Sequence, residues 1–86
     1  MSVGEVKTTL RAAIEAALQG RDAFDRASAG ANAASEAAEA ILNHSRNEDV
    51  SAVQQALDTA RAEVEPTRRR FVNIAEHTSR YLNRLG

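Results

Sequence analysis

The side chains able to do chemistry in this chain are few and scattered. His44 stands four residues before Glu48 and close to Asp49, the one place where an imidazole and two carboxylates crowd together. That set would seed a weak metal site, but a structural zinc takes four ligands. The spacing also straddles a predicted turn, so His44 reads as a helix-end histidine near the C-terminal dipole. His77, in EHTSR, is the second histidine. As a phosphotransfer residue it would need a cation to receive the phosphate, and no lysine follows it closely. Glu36 and Glu39 are three apart with no histidine partner in the first helical stretch, so the Glu-x-x-His pattern of di-iron bundles is absent. The chain has no cysteine, hence no thiolate ligand, no thiol nucleophile and no disulfide. No Gly-rich phosphate loop and no Ser–His–Asp set is present. The sequence therefore points away from an enzyme, with no catalytic residue, metal or cofactor expected.

Arg68-Arg69-Arg70 is the densest basic run. A nucleic-acid surface needs more basic area than this, and Glu63 and Glu65 sit just upstream. Glu65 precedes Arg69 by four residues, the favourable orientation for a helical ion pair. The run reads as a solvated, partly paired helix face; a nucleic-acid-associated regulator using Arg68–Arg70 is an alternative. Formal net charge is −1 over 86 residues, so no global field draws the protein to nucleic acid or membrane.

These residues have to be positioned by helices. Aromatics are 3% of the chain, with no Trp and one Pro, a composition that disfavours a sheet. Read from Val3 in steps of three and four, the positions are Val3, Val6, Leu10, Ala13, Ala17, Gly20, Phe24, Ala27, Ala31, Ala34, Ala38 and Ile41, all nonpolar. Read from Val50 they are Val53, Leu57, Ala60, Val64, Thr67, Phe71, Ile74, Thr78, Tyr81 and Leu85. Both runs keep a 3.5-residue repeat, the pattern of helices that wind about a partner. Written as heptads with Val3 at a, they are the a and d positions of each helix.

The ends carry start and stop signals. Ser2 and Glu5 form a capping box, with Met1 and Val6 placed for a hydrophobic staple. The stretch 43–49, NHSRNED, is polar and turn-prone, and Ser45 or Asn47 would cap the next helix. Glu48 and Asp49 then favour its dipole. Pro66 removes a backbone donor and crowds the Ala62 carbonyl. The apolar phase continues across it, so one kinked helix is expected. The spacing predicts helices over about 3–44 and 49–85, with a turn over 45–48.

Two helices joined by a short turn make an antiparallel hairpin, with arms roughly 60 and 55 Å long at 1.5 Å per residue. Folding about residue 46 places Gly20 near Phe71, and Phe24 near Thr67 and Arg68. It also sets Val53, Leu57, Ala60 and Val64 against the alanine-rich stretch ASAGANAASEAAEA, residues 27–40. Large residues would then interdigitate with small ones. The expected seam is Val6, Leu10, Phe24, Ile41, Val53, Leu57, Val64, Phe71, Ile74 and Tyr81.

A single seam gives a small domain little to bury against chain entropy. Ile14, Leu18, Val72, Ala75 and Leu82 lie beside the expected seam, at e and b positions, and form the predicted partner interface. The simplest partner is a second copy, giving a four-helix bundle; another helical protein is the alternative. Charge is segregated too. Residues 22–65 hold nine acids and three Arg, net −6, while 1–21 and 66–86 together carry +5. The turn end is acidic and the open end basic, which suits two hairpins laid antiparallel.

An N-terminal MSVGEVK, an alanine-rich hairpin and the ending Tyr81-Leu82-Asn83-Arg84-Leu85 resemble small actinobacterial helical-hairpin proteins and, more distantly, ESX-type (type VII) secretion substrates. The resemblance implies hairpins that pair into four-helix bundles, some of them targeting partners for larger effectors. Two of that family's motifs are replaced here. His44-Ser45-Arg46-Asn47-Glu48 stands where it has Trp-x-Gly, and Leu85 follows Tyr81 at the spacing of its C-terminal acidic residue. No functional residue carries over. The start MSVGEVKTTL lacks the apolar core of a signal peptide, and no run approaches the ~18–20 apolar residues that span a bilayer. The expectation is a cytoplasmic protein, with export by a signal-peptide-independent route as the alternative.

Overall fold

The computed structural model describes residues 1–43 and 48–86. Among these the chain forms three helices: α1 (Val3–Leu42), α2 (Glu48–Ala62) and α3 (Val64–Arg84). No strand is present among the described residues. The helices make two arms of an antiparallel hairpin measuring 63 × 17 × 16 Å, the all-α fold the periodicity implies. The caps predicted around Ser45 and Asn47, and His44 itself, lie outside the described residues.

Local chemistry sets the helix ends. Ser2 is extended and its hydroxyl accepts from the Glu5 amide at 3.1 Å, satisfying one of the four donors a helix start leaves open. At the other end of α1, Asn43 is still helical and its amide donates to the Glu39 carbonyl at 2.9 Å. Glu48 begins α2 and does not belong to the turn; with Asp49 it occupies the first turn, where negative charge favours the dipole.

The second arm is interrupted at one residue, Glu63. It stays in helical conformation, at φ −85° and ψ −12°. Its amide donates to the Ala60 carbonyl at 3.2 Å and its carbonyl accepts from Thr67 at 3.1 Å. Pro66 is the cause: it has no N–H for the Ala62 carbonyl and its ring crowds that oxygen. The result is a discontinuity between α2 and α3, three residues before the proline, and not a loop.

α1 packs chiefly on α3 and only sparsely on α2. The core is correspondingly thin. Among the described residues the buried apolar ones are Ala17 (8% exposed), Val50 (9%) and Ala75 (6%), and no large side chain is fully buried.

Candidate interaction surface

The hairpin seam is rotated from the one expected. The half-buried and buried residues of α1 include Lys7, Leu10, Ile14, Ala17, Arg21, Phe24, Ser28, Ser35, Ala38 and Leu42; on the other arm they include Val50, Gln54, Leu57, Arg61, Val64, Arg68, Phe71, Ala75, Thr78 and Leu82. Those are a and e positions on both arms, where a and d were expected. Within a 3.5-residue repeat this turns each helix by about 50°. The physical reason lies in α1, whose d row runs Ala13, Gly20, Ala27, Ala34 and offers almost no area to bury. Rotating the helices brings Ile14, Leu18, Val72, Ala75 and Leu82 inward instead. The e row is otherwise rich in Lys, Arg and Ser, whose stems pack while their polar ends reach the edge.

Val6, Leu10, Phe24, Leu57, Val64 and Phe71 are half-buried. Four other residues assigned to the seam are corrected: Ile41 is 75% exposed, Ile74 52%, Tyr81 51% and Val53 40%. The predicted partner interface also changes role. Ile14, Leu18, Val72 and Leu82 are half-buried and Ala75 is buried, so these residues fold toward the opposite arm and are not a free flank.

The arms approach closely at Gly20. A Cβ built there would lie 2.8 Å from Phe71 Cε1 and 3.1 Å from Cδ1. Phe71 also meets Phe24, with ring centroids 6.1 Å apart and planes tilted by 41°, within the range where aromatic pairs attract. Toward the open end Lys7 Nζ donates to the Gly86 carbonyl, and Ala17 and Ala75 are buried. This half of the hairpin is where the arms fit.

One edge of the seam is held by charge. Arg68 Nε donates to Asp25 Oδ1 at 3.1 Å and Oδ2 at 3.2 Å, and Arg61 Nη1 to Glu39 Oε1 at 2.7 Å. Gln54 reaches Asn43 at 3.1 Å. These cross-arm pairs join e positions of α2–α3 to the b side of α1. The sequence reading missed them, although two arginines seven apart and two carboxylates fourteen apart were a readable signal.

The opposite edge is uncovered. The row Val53, Ala60, Thr67, Ile74, Tyr81 recurs every seven residues, and α1 contributes the row ending in Ile41. In an antiparallel pair the d rows of both arms fall on one side, away from the Asp25 and Glu39 ion pairs. Large side chains thus stand exposed at both ends of one flank, Ile41 and Val53 at the turn end and Ile74 and Tyr81 at the open end.

The middle of the seam is also unfilled. Where the alanine-rich stretch was expected to be packed by α2, the two arms leave a groove of about 320 Å³. Phe24, Ser28, Ala31, Asn32 and Ser35 line one wall; Leu57, Ala60, Arg61, Glu63, Val64 and Thr67 line the other. Ala60 and Thr67 belong to the uncovered row, so the groove is continuous with that flank. Ala27, Ala31 and Ala34 are exposed, which overturns the expected large-on-small contact there.

The remaining chemistry-bearing residues do not converge. His77 and Glu36 are exposed, and Glu39 is engaged with Arg61. Arg68 is turned across the seam to Asp25, Arg69 lies 3.9 Å from Glu65, and Arg70 is exposed. Among the described residues no group of three or more His, Asp or Glu is placed to hold a metal, and no helix is long and apolar enough to cross a membrane. No family model, no curated protein and no solved structure matches the chain.

Proposed function

We propose that this chain is a non-enzymatic helical interaction module that associates with itself through its uncovered flank to form a four-helix bundle. The observation that carries the reading is the imbalance of burial. Among the described residues three are buried, two of them alanine, while Ile41, Val53, Ile74 and Tyr81 are exposed. A chain this short has to offset its conformational entropy with buried apolar area. Large apolar side chains exposed at both ends of one flank suit an association surface. The face measures 63 by 17 Å, about 1,000 Å² in projection, and a stable interface takes about 800 Å² from each partner.

Sedimentation equilibrium across about three decades of concentration, with helicity recorded in parallel, tests this. The reading expects a helical dimer, and it expects Ile74→Glu to shift the protein towards monomer. A concentration-independent monomer that keeps its full helicity overturns self-association.

A further inference from the structure

The groove between α1 and the second arm is lined by Phe24, Ala31, Leu57, Ala60 and Val64 together with polar and charged residues, Arg61 and Glu63 among them. Its level along the hairpin is set by Ser28 and Ala31 on one arm and by Val64 and Thr67 on the other. Ile74, the most exposed aliphatic side chain of α3, lies on the same flank towards the open end. The cross-arm contacts that bracket Ile74 set its register: Asp25 meets Arg68 and Lys7 meets Gly86, each pair summing to 93, and Gly20 meets Phe71, summing to 91. The two pairs that sum to 93 put Ile74 level with about residue 19 of α1.

From this geometry we infer that the groove receives Ile74 of a second copy laid antiparallel on the uncovered flank. The inference rests on the self-association proposed above and specifies its geometry. A half-turn about the middle of the arms, near residue 23 of α1, carries the level of residue 19 to that of residue 27. This places the incoming Ile74 between Ser28 and Ala31 on α1 and Val64 and Thr67 opposite, a four-residue hole for one knob. By symmetry the Ile74 of each copy enters the groove of the other. The polarity has an independent cause. Residues 22–65 carry −6 and the two terminal segments +5, so the antiparallel arrangement sets each acidic turn end on a basic open end, and a parallel one would oppose like charges. The Ile41 and Val53 pair at the turn end then lies level with residues 5 and 6 at the open end of the other copy.

The native chain has no cysteine, so single-cysteine variants report the arrangement without interference. Ile74→Cys mixed with Thr67→Cys is expected to form a disulfide-linked heterodimer under mild oxidation. Ile74→Cys alone is expected to link poorly, because its two copies lie about 12 Å apart along the axis at 1.5 Å per residue. A second variant, Ala31→Leu, fills the groove. It is expected to weaken the dimer at least tenfold in Kd while helicity is retained. Efficient self-linking of Ile74→Cys, with association intact, overturns the antiparallel groove and leaves the self-association reading standing. Undiminished association of Ala31→Leu overturns the groove in the same way. Absence of any association removes the self-association reading itself, and the inference with it.

Discussion

Gly20 and Phe71 meet across the two arms with no room for a side chain at the glycine. A methyl group on Gly20 would sit 2.8 Å from the Phe71 ring, closer than carbon atoms pack. The ring is also held by Phe24, so it has limited room to retreat. Gly30 has nothing within 4 Å of the same hypothetical atom. The two glycines therefore have opposite expected behaviour. Gly30→Ala should stabilise the hairpin by about 0.5–1 kcal/mol through helix propensity alone. Gly20→Ala should gain that same term and lose more to overpacking, with a net cost of about 1 kcal/mol. Chemical denaturation of the two variants beside the parent checks the pair; equal stabilisation by both would remove the close contact.

The rotated seam separates two classes of charge substitution. Leu18 and Val72 are half-buried between the arms, so Leu18→Glu or Val72→Glu should cost about 2 kcal/mol or more and lower helicity at a given temperature. Val53 and Ile74 are exposed in the single chain, so Val53→Glu or Ile74→Glu should reduce association and leave the monomer as helical as the parent's monomer. Circular dichroism read together with sedimentation distinguishes the two. Loss of helicity in Ile74→Glu at concentrations where the parent is monomeric and helical would place Ile74 back in the seam.

The two cross-arm ion pairs should matter modestly. The Asp25–Arg68 pair is about 40% exposed on each side chain, and the Glu39–Arg61 pair is somewhat less so. Exposed pairs contribute about 0.2–1 kcal/mol. Asp25→Asn is therefore expected to lower stability by no more than about 1 kcal/mol, and the difference should shrink in 1 M salt, where screening is short-ranged. A larger, salt-independent loss would mean the pair is desolvated in the assembled protein.

Pro66 should be the reason the second arm is divided. In Pro66→Ala the missing donor returns, and α2 and α3 are expected to join through Glu63 into one helix, with higher helicity. Amide exchange at residues 62–67 reports the change directly. Unaltered exchange around Glu63 would assign the discontinuity to another cause.

Much of the fold could be read from residue order. The 3.5-residue repeat, the Ser2 cap and the pairing of Gly20 with Phe71 follow from spacing and residue type, and the structure contains each of them. The face each helix presents could not be read the same way. Counting nonpolar positions favours the d row because alanine and glycine count as apolar, yet Ala13, Gly20, Ala27 and Ala34 contribute little area. The e row holds Arg61 and Arg68, which an apolar count weighs against it, although their long stems pack and their guanidinium groups find Glu39 and Asp25 across the seam. Area, side-chain length and cross-arm partners decide helix rotation, and an apolar count weighs none of them. The groove was illegible for a related reason: the alanines of 27–40 permit close approach but do not enforce it, and the break at Glu63 lets α2 stand off from α1.

In the proposed assembly a second copy completes a hairpin with too little core of its own. Thermal unfolding followed by circular dichroism at protein concentrations spanning about a thousandfold tests it most directly, because association with the folded state alone makes Tm depend on concentration. The account predicts a Tm that climbs steadily with concentration in the parent and far less in Ile74→Glu. A parent Tm that is high and the same at every concentration would contradict it.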